Sequence, residues 1–491
     1  MSDTRDLGLI LDARIPIVVI ESPDERRVLA LLLQFAMQRG LPFSEWSVTR
    51  GLRRGELVSE AGNGIKYADP NDALIQIGTT PGPAMYALCD MHPYLTNEPK
   101  TIRYLKDIAL DYERLGNTLV LVSHQLTIPQ ELGRLTATFN LRLPSDEELL
   151  AMIRKQAQEW ARLHKGRKVT TDSKTLDKLI ANLRGVTHSD AQILIRRAVF
   201  ADGAISDSDI PEINKLKFEL LDNEGVLHYE YDTESFANVA GLTNLKAWLR
   251  LREHELLKPG GTDRPKGLLL LGVQGSGKSL AAKSVAGLFG VPLLRLDFGT
   301  LYNKYFGETE RNLRDSLRQA ELMAPCVLWL DEIEKGLATG DSDNATSKRV
   351  LATMLTWMAE NKRPVFIVAT SNDIAELPPE LIRKGRMDEI FFVDLPDLAT
   401  RKEIFRIHLT KRELDPTSFD LDHLAEHSDG FTGAEIEEAI VSARYLSASH
   451  QAAVKTDDVL AAINRTYPMS VLRADSVQAL RAWAKDRTVP A

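Results

Sequence analysis

The chain has 491 residues, 44% hydrophobic and 26% charged, with 61 basic against 69 acidic side chains and a formal net charge of −8. At roughly 100–200 residues per domain, that length predicts two to four domains with cores large enough to stand without staples. The acid surplus argues against a dedicated nucleic-acid binder, and two cysteines, Cys89 and Cys326, both in apolar runs, exclude a disulfide framework and a Cys/His zinc set.

The N-terminus, MSDTRDLGLILDAR, carries acids and arginines where a signal peptide would have its apolar core. The runs IPIVVI and GLLLL are far shorter than the ~20 residues of a membrane span. A soluble protein of a reducing, cytoplasm-like compartment is expected. In chain order, Val18–Ile20, Ala84–Cys89 and Thr118–Val122 read as buried strands and Glu25–Gln38 as a helix. Around Ile210–Tyr231 the pattern turns polar and irregular, with a turn signal at Asn223, Glu224 and Gly225, and a boundary between two halves is expected there. Beyond it Gly267–Leu271, Leu293–Leu296, Cys326–Leu330 and Val365–Ala369 read as strands, and Leu280–Phe289, Glu308–Met323 and Ser347–Glu360 as helices. Strands alternating with helices predict the α/β class, with a parallel sheet covered on both faces.

The halves read as repeats about 245 residues apart. TLVLVSHQLTIPQEL from Thr118 and PVFIVATSNDIAELPPEL from Pro364 both run strand, polar turn, then (I/L)PxEL. GVTHSDAQILIRRAVFADGA from Gly185 parallels GFTGAEIEEAIVSARYLSAS from Gly430, and ALCDMH near Asp90 parallels LWLDEI near Asp331.

Gly272, Val273, Gln274, Gly275, Ser276, Gly277, Lys278 and Ser279 fit GxxxxGK(S/T) without a gap, after a strand and at the start of a helix opened by Leu280. Glycines in that setting let backbone N–H groups turn around phosphates, and the helix N-terminus adds its positive dipole end. Lys278 is expected to reach the β- and γ-phosphates of a nucleotide, and the Ser279 hydroxyl to hold Mg²⁺. The strand Cys326–Leu330 ends in Asp331, read as a second magnesium-shell ligand, and Glu332, read as the group that polarises the attacking water. Asn372, after the next strand, reads either as a partner of Glu332 in orienting water or as a loop cap.

Together these residues resemble the AAA family of ATPases, in its core clade, over about Tyr231 to Met469: SFANVAGLTNLKAWL, GVQGSGKS, LYNKYFGETERNLR, CVLWLDEIEKG, SKRVLATML, IVATSN, LPPELIRKGRMDE and GFTGAEIEEA. The resemblance implies further roles. Asn372 matches the first sensor. Arg383 and Arg386 match two arginine fingers that a subunit inserts into its neighbour's ATP site, so hydrolysis would need an oligomer, usually a hexameric ring. Val239, Ala240 and Gly241 match the segment lining the adenine, His408 a lid-helix histidine beside the nucleotide, and Gly433 and Ala434 lid positions contacting the nucleoside. Tyr305 and Phe306, with Gly307, match a central-pore loop that grips extended polypeptide, and Gly340–Asn344 a second pore loop. Gln274, Glu334 and Lys384 depart from residues common in relatives without removing a catalytic group, so an active Mg²⁺-dependent ATPase is implied.

The first half departs further. After IPIVVI the chain reads Glu21-Ser-Pro-Asp24-Glu25-Arg26-Arg27, with no glycine and no lysine of the phosphate loop, and its carboxylates would repel phosphates. Met91 follows Asp90, which leaves no counterpart of Glu332 in the parallel drawn above, and no nucleotide is expected here. This plan resembles the conserved open-reading-frame AAA ATPases of plastids and cyanobacteria, on the phrase CDMHPYL from Cys89 and on GVQGSGKS. Asp90 and His92 read as a site of this half or as a capped loop; no constellation near them in sequence completes a site, and the capped loop is preferred. His423 and His427, in HxxEH spacing, lack an obvious third ligand and are set aside as a zinc-protease motif.

The domains implied are a degenerate α/β domain at 1–144 and its helical lid at 145–209, a linker at 210–231, the ATPase α/β domain at 232–396 and its lid at 397–471, and a tail at 472–491. ATP-driven remodelling or threading of a protein substrate is the first functional reading. The alternative is a nucleotide-dependent assembly switch whose first half binds a partner. The substrate or adaptor is not legible, and a nucleic-acid partner is not expected.

Overall fold

The apolar runs fall into two sheets, one in each of two units: residues 1–145 with 187–192, and residues 146–186 with 193–491. The computed structural model describes residues 3–54, 65–221, 226–231, 239–258, 263–303, 309–337, 344–374, 377–383, 385–449 and 453–491. In the first unit the strands are β1 (Ile17–Glu21), β2 (Phe43–Ser47), β3 (Gly51–Arg54), β4 (Met85–Cys89), β5 (Thr118–Ser123) and β6 (Thr136–Thr138). They lie in the order β3-β2-β4-β5-β1-β6, parallel throughout except for the β2–β3 pair. Strands β4 and β5 are buried along their whole length. That is why they read as unbroken apolar runs rather than alternating ones: both faces are covered. The helix Glu25–Arg39 covers one face with Val28, Leu32, Phe35 and Ala36, a stripe at helical spacing.

In the second unit the strands are β7 (Leu227–Glu230), β8 (Gly267–Gly272), β9 (Leu293–Asp297), β10 (Cys326–Asp331), β11 (Val365–Ser371), β12 (Glu389–Val393) and β13 (Val489–Pro490). Their order is β13-β12-β8-β11-β10-β9-β7, and only β7 runs antiparallel to its neighbour. Read from β12 to β9, this order is the β6-β1-β5-β4-β2 order of the first unit. The repeat legible in sequence is therefore a repeat of topology. A separate cluster of Phe405, Leu424, Ile436, Ile440, Val459 and Ile463 forms the core of the helices between Leu398 and Arg465. Cys89 and Cys326 are buried, which raises both thiols to about 12. Among the described residues no helix is long and apolar enough to cross a membrane.

Two parts of the stretch read as a linker, 210–231, are structured. Asp209–Leu221 is a helix whose Phe218 enters the core beside Leu294 and Leu317, and β7 pairs with β9. The polar appearance of this helix comes partly from Lys217, which is wholly buried. Its Nζ donates to the carbonyls of Asn182 at 2.9 Å and Arg184 at 2.6 Å, at the end of the helix Ser173–Leu183, where carbonyls lack intrahelical partners. Burial holds its pKa down at about 7, and a neutral amine still has N–H groups for both carbonyls. The sign follows. Between pH 7 and the ordinary lysine value the unfolded chain binds a proton that the folded chain does not, so stability rises with pH there. The slope is about 1.4 kcal/mol per pH unit. Urea unfolding at pH 7, 8 and 9 should show this rise in the second unit's transition, and Lys217→Met should remove it.

The tail is also built in. After the helix Ala474–Ala484, β13 joins the sheet beside β12, Ala491 N donates to Phe392 O at 3.0 Å, and Arg481 pairs with Asp394 at 2.9 Å.

Candidate nucleotide site

The site is built at the C-terminal ends of β8, β10 and β11. Strand β8 delivers the chain into the turn Val273–Gly277, and the helix Lys278–Phe289 starts at once. Gly272 is required by close approach, since a Cβ there would lie 2.2 Å from the Val393 carbonyl oxygen. The turn needs Gly277 at φ 96°, a left-handed conformation that other residues adopt at a cost. The helix therefore presents its unpaired N-terminal amides to the cleft. Ser276 Oγ, within this turn, is buried without a hydrogen-bond partner among the described residues.

Lys278 is buried, and its Nζ donates to the carbonyls of Gly272 and Val273, both at 2.8 Å. Burial lowers its pKa to about 8, against the pull of Glu334, Glu332 and Asp331. Asp331 ends β10, and Thr370 Oγ1 donates to its Oδ1 at 2.9 Å. Burial raises its pKa. Glu332 stands at φ 48°, a left-handed position for a non-glycine residue that turns its carboxylate off the strand end. Asn372 Nδ2 donates to Glu332 Oε1 at 3.1 Å, and the Asn372 backbone N–H donates to Glu334 Oε1 at 3.1 Å. Lys335 pairs with Glu332. Of the two sequence readings of Asn372, the geometry therefore shows a side chain on Glu332.

These groups face a cleft of about 880 Å³. Every residue of the sequence-predicted nucleotide and magnesium set lines it except Gly272 and Val273, whose carbonyls hold Lys278 from beneath. Val239, Ala240, Gly241, His408, Gly433 and Ala434 all lie on it, with Glu332 and Asn372. His408 is mostly buried, 3.6 Å from Glu437 Oε1. Arg383 and Arg386 do not line this cleft; they sit on a turn in which Arg386 N donates to Arg383 O at 3.2 Å. Tyr305, Phe306, Lys384 and residues 340–343 lie outside the described residues. The sequence reading missed Thr370, which also accepts from the Glu332 backbone N–H at 3.1 Å, and Pro490 and Ala491, which β13 brings to the cleft. Thr370 lies inside the quoted IVATSN run; two residues of strand at the end of a tail leave no sequence signal.

The first unit shows what its lost loop became. Only Ser22, Pro23 and Asp24 separate β1 from the helix Glu25–Arg39. The buried carboxylate of Asp24 accepts from Arg27 N at 3.3 Å and from Ser189 Oγ at 2.9 Å. The chain's own anion thus sits at the helix N-terminus. The strand pairings agree with the sequence parallel around Asp90. Cys89 pairs with Val122 in β4–β5, as Leu330 pairs with Ala369 in β10–β11, and the left-handed residue after β4 is Asp90 at φ 53°. By that register Asp90 answers to Asp331, while its left-handed backbone is the one Glu332 adopts in the second unit. The HxxEH pair is inert by geometry: His427 Nδ1 contacts the His423 carbonyl at 2.9 Å, and no third ligand joins them among the described residues.

Comparison with known proteins agrees with this architecture. Residues 268–395 match the ATPase family associated with various cellular activities (AAA). Residues 3–141 and 147–224 match the N-terminal and second domains of SpoVK-like AAA ATPases. The AAA domain-containing protein ycf46 of Trieres chinensis is 34% identical over 99% of this chain and 97% of its own length. That of Guillardia theta is 33% identical over 99% and 95%. A proteasome-activating nucleotidase of Aeropyrum pernix is 36% identical over 44% of this chain and 54% of its own. A nucleotide cleft of this geometry, in a chain matched from end to end, places the protein in the AAA ATPase family, among the ycf46 AAA domain-containing proteins.

Proposed function

We infer that this chain hydrolyses ATP with Mg²⁺ in a ring of its own copies and uses the turnover to remodel a protein substrate. The observation that carries the reading is the convergence of Lys278, Asp331, Glu332 and Asn372 on one cleft, with Asn372 holding Glu332. The phosphates of ATP would lie against the turn Val273–Gly277 and the helix N-terminus. Lys278 would move its ammonium from the two loop carbonyls to the β- and γ-phosphates. The Ser279 hydroxyl and the Asp331 carboxylate are hard oxygen donors of the kind magnesium takes. When bound, Mg²⁺ offsets the charge of the phosphates. Glu332 accepts the proton of the water whose oxygen bonds to the γ-phosphorus as the bond to the ADP oxygen breaks. Asn372 fixes the carboxylate for that transfer.

The placement of Arg383 and Arg386 off their own cleft supports a role in a neighbour's cleft. Arg386→Ala should keep ATP-analogue affinity near wild type while phosphate release falls by about 10³-fold or more. Mixed with Glu332→Gln chains, it should regain part of its turnover, because an intact Glu332 then meets an intact Arg386 across a subunit boundary. Two inactive variants that stay inactive when mixed would count against fingers acting in trans. The remodelling part of the reading is supported by the likeness to a proteasome-activating nucleotidase and by the Tyr305-Phe306-Gly307 sequence.

A further inference from the structure

Parallel pairing of β4 with β5 sets the ends of these strands side by side, and with them three metal-ligating side chains far apart in sequence. Asp90 follows β4, His92 opens the short turn His92–Leu95, and His124 follows β5. One ligand atom from each lies within 4.8 Å of the others, and among the described residues no other group of three such side chains meets that spacing. The rings of His92 and His124 meet edge to face with centroids 4.7 Å apart, and His92 Nδ1 lies 4.0 Å from Asp90 Oδ1. His92 Nδ1 is also 2.7 Å from Ser123 Oγ, so that with the other ring nitrogen on an ion this one would keep an outer partner, as metal-bound histidines have.

We propose that the first unit holds a divalent transition-metal ion, zinc by its chemistry, on Asp90, His92 and His124, with Ser123 supporting His92. Two imidazoles and one carboxylate suit zinc and its neighbours; magnesium asks for oxygen ligands throughout. Donors of a tetrahedral zinc site lie about 3.3 Å apart, so the ligand atoms must close by an ångström or so. Asp90 and His124 are exposed and His92 half-buried, which leaves their side-chain torsions free to do it. Asp90, like Glu332 in the second unit, is left-handed and just past its strand, and His124, like Asn372, just follows the neighbouring strand. Where the second unit points a carboxylate and an amide at a nucleotide, the first keeps the strained carboxylate and puts two imidazoles beside it. The ion would tie the β4 and β5 ends together in a unit whose helix N-terminus is already closed by Asp24.

The test is a zinc titration of the nucleotide-free full chain against a chromophoric chelator. Wild type should hold one equivalent. His124→Asn should lose it, and Ser123→Ala, which keeps all three ligands, should weaken it by about 10–100-fold. Lys278→Met and a His423→Gln, His427→Gln double variant should retain it, which separates the ion from the nucleotide cleft and from the HxxEH pair. Cobalt as a second probe should give the visible bands of a nitrogen- and oxygen-ligated site, lost in His124→Asn. Should His124→Asn fail to fold, Ser123→Ala decides. No equivalent in wild type, an equivalent unmoved by these variants, or one that leaves with His423 and His427 would overturn the proposal.

Discussion

Glu332→Gln should lower phosphate release by about 10²–10⁴-fold while ATP stays bound, the range for loss of a positioned general base. The substitution is nearly isosteric. The amide that replaces the carboxylate keeps a carbonyl oxygen to accept from Asn372 Nδ2, now at 3.1 Å from Glu332 Oε1, and leaves the backbone at φ 48° untouched. What it loses is the capacity to take a proton. It also loses the pairing with Lys335, whose side chain is 65% exposed, and a pair so exposed contributes at most about 1 kcal/mol. The fold should therefore stand, and turnover alone should fall. Phosphate release measured beside retention of labelled ATP separates the two effects. If both fall together, the residue serves binding rather than chemistry.

Lys278→Met should weaken ATP binding. The turn now holds its ammonium on two carbonyls, and with ATP bound the same ammonium would reach the phosphates. Charge-assisted hydrogen bonds of this kind contribute roughly 1.5–3 kcal/mol, or about 10- to 150-fold in affinity. Methionine retains most of the buried stem, so the loss belongs to the charge. Binding of a non-hydrolysable ATP analogue also acquires a pH dependence. Below pH 8 Lys278 is protonated before the phosphates arrive, and affinity is level with pH. Above it, binding must take up a proton, and affinity should fall toward tenfold per pH unit. Lys278→Met should flatten that profile. A profile of equal slope in the variant would assign the proton to another group.

The legibility of these features follows from where their information lies. The central strands of both sheets read correctly because parallel strands covered on both faces are continuous apolar runs. The phosphate loop read correctly because its residues are contiguous and its flanks, a strand and a helix, are local. Two things defeated the reading between Ile210 and Tyr231. Lys217 occupies a buried position of the helix Asp209–Leu221 and interrupts its apolar stripe, and β7 is a short edge strand. His124 escaped notice beside Asp90 and His92 because only the pairing register of β4 and β5 brings it there.

Phosphate release by the full chain, with ATP and Mg²⁺, should be followed as the chain is diluted, with Glu332→Gln alongside. Turnover per chain that declines as assemblies dissociate, and that Glu332→Gln abolishes at every concentration, is the result expected of a cleft completed by a neighbour's arginines. Turnover per chain unchanged by dilution to the monomer, or equal in wild type and Glu332→Gln, would contradict it.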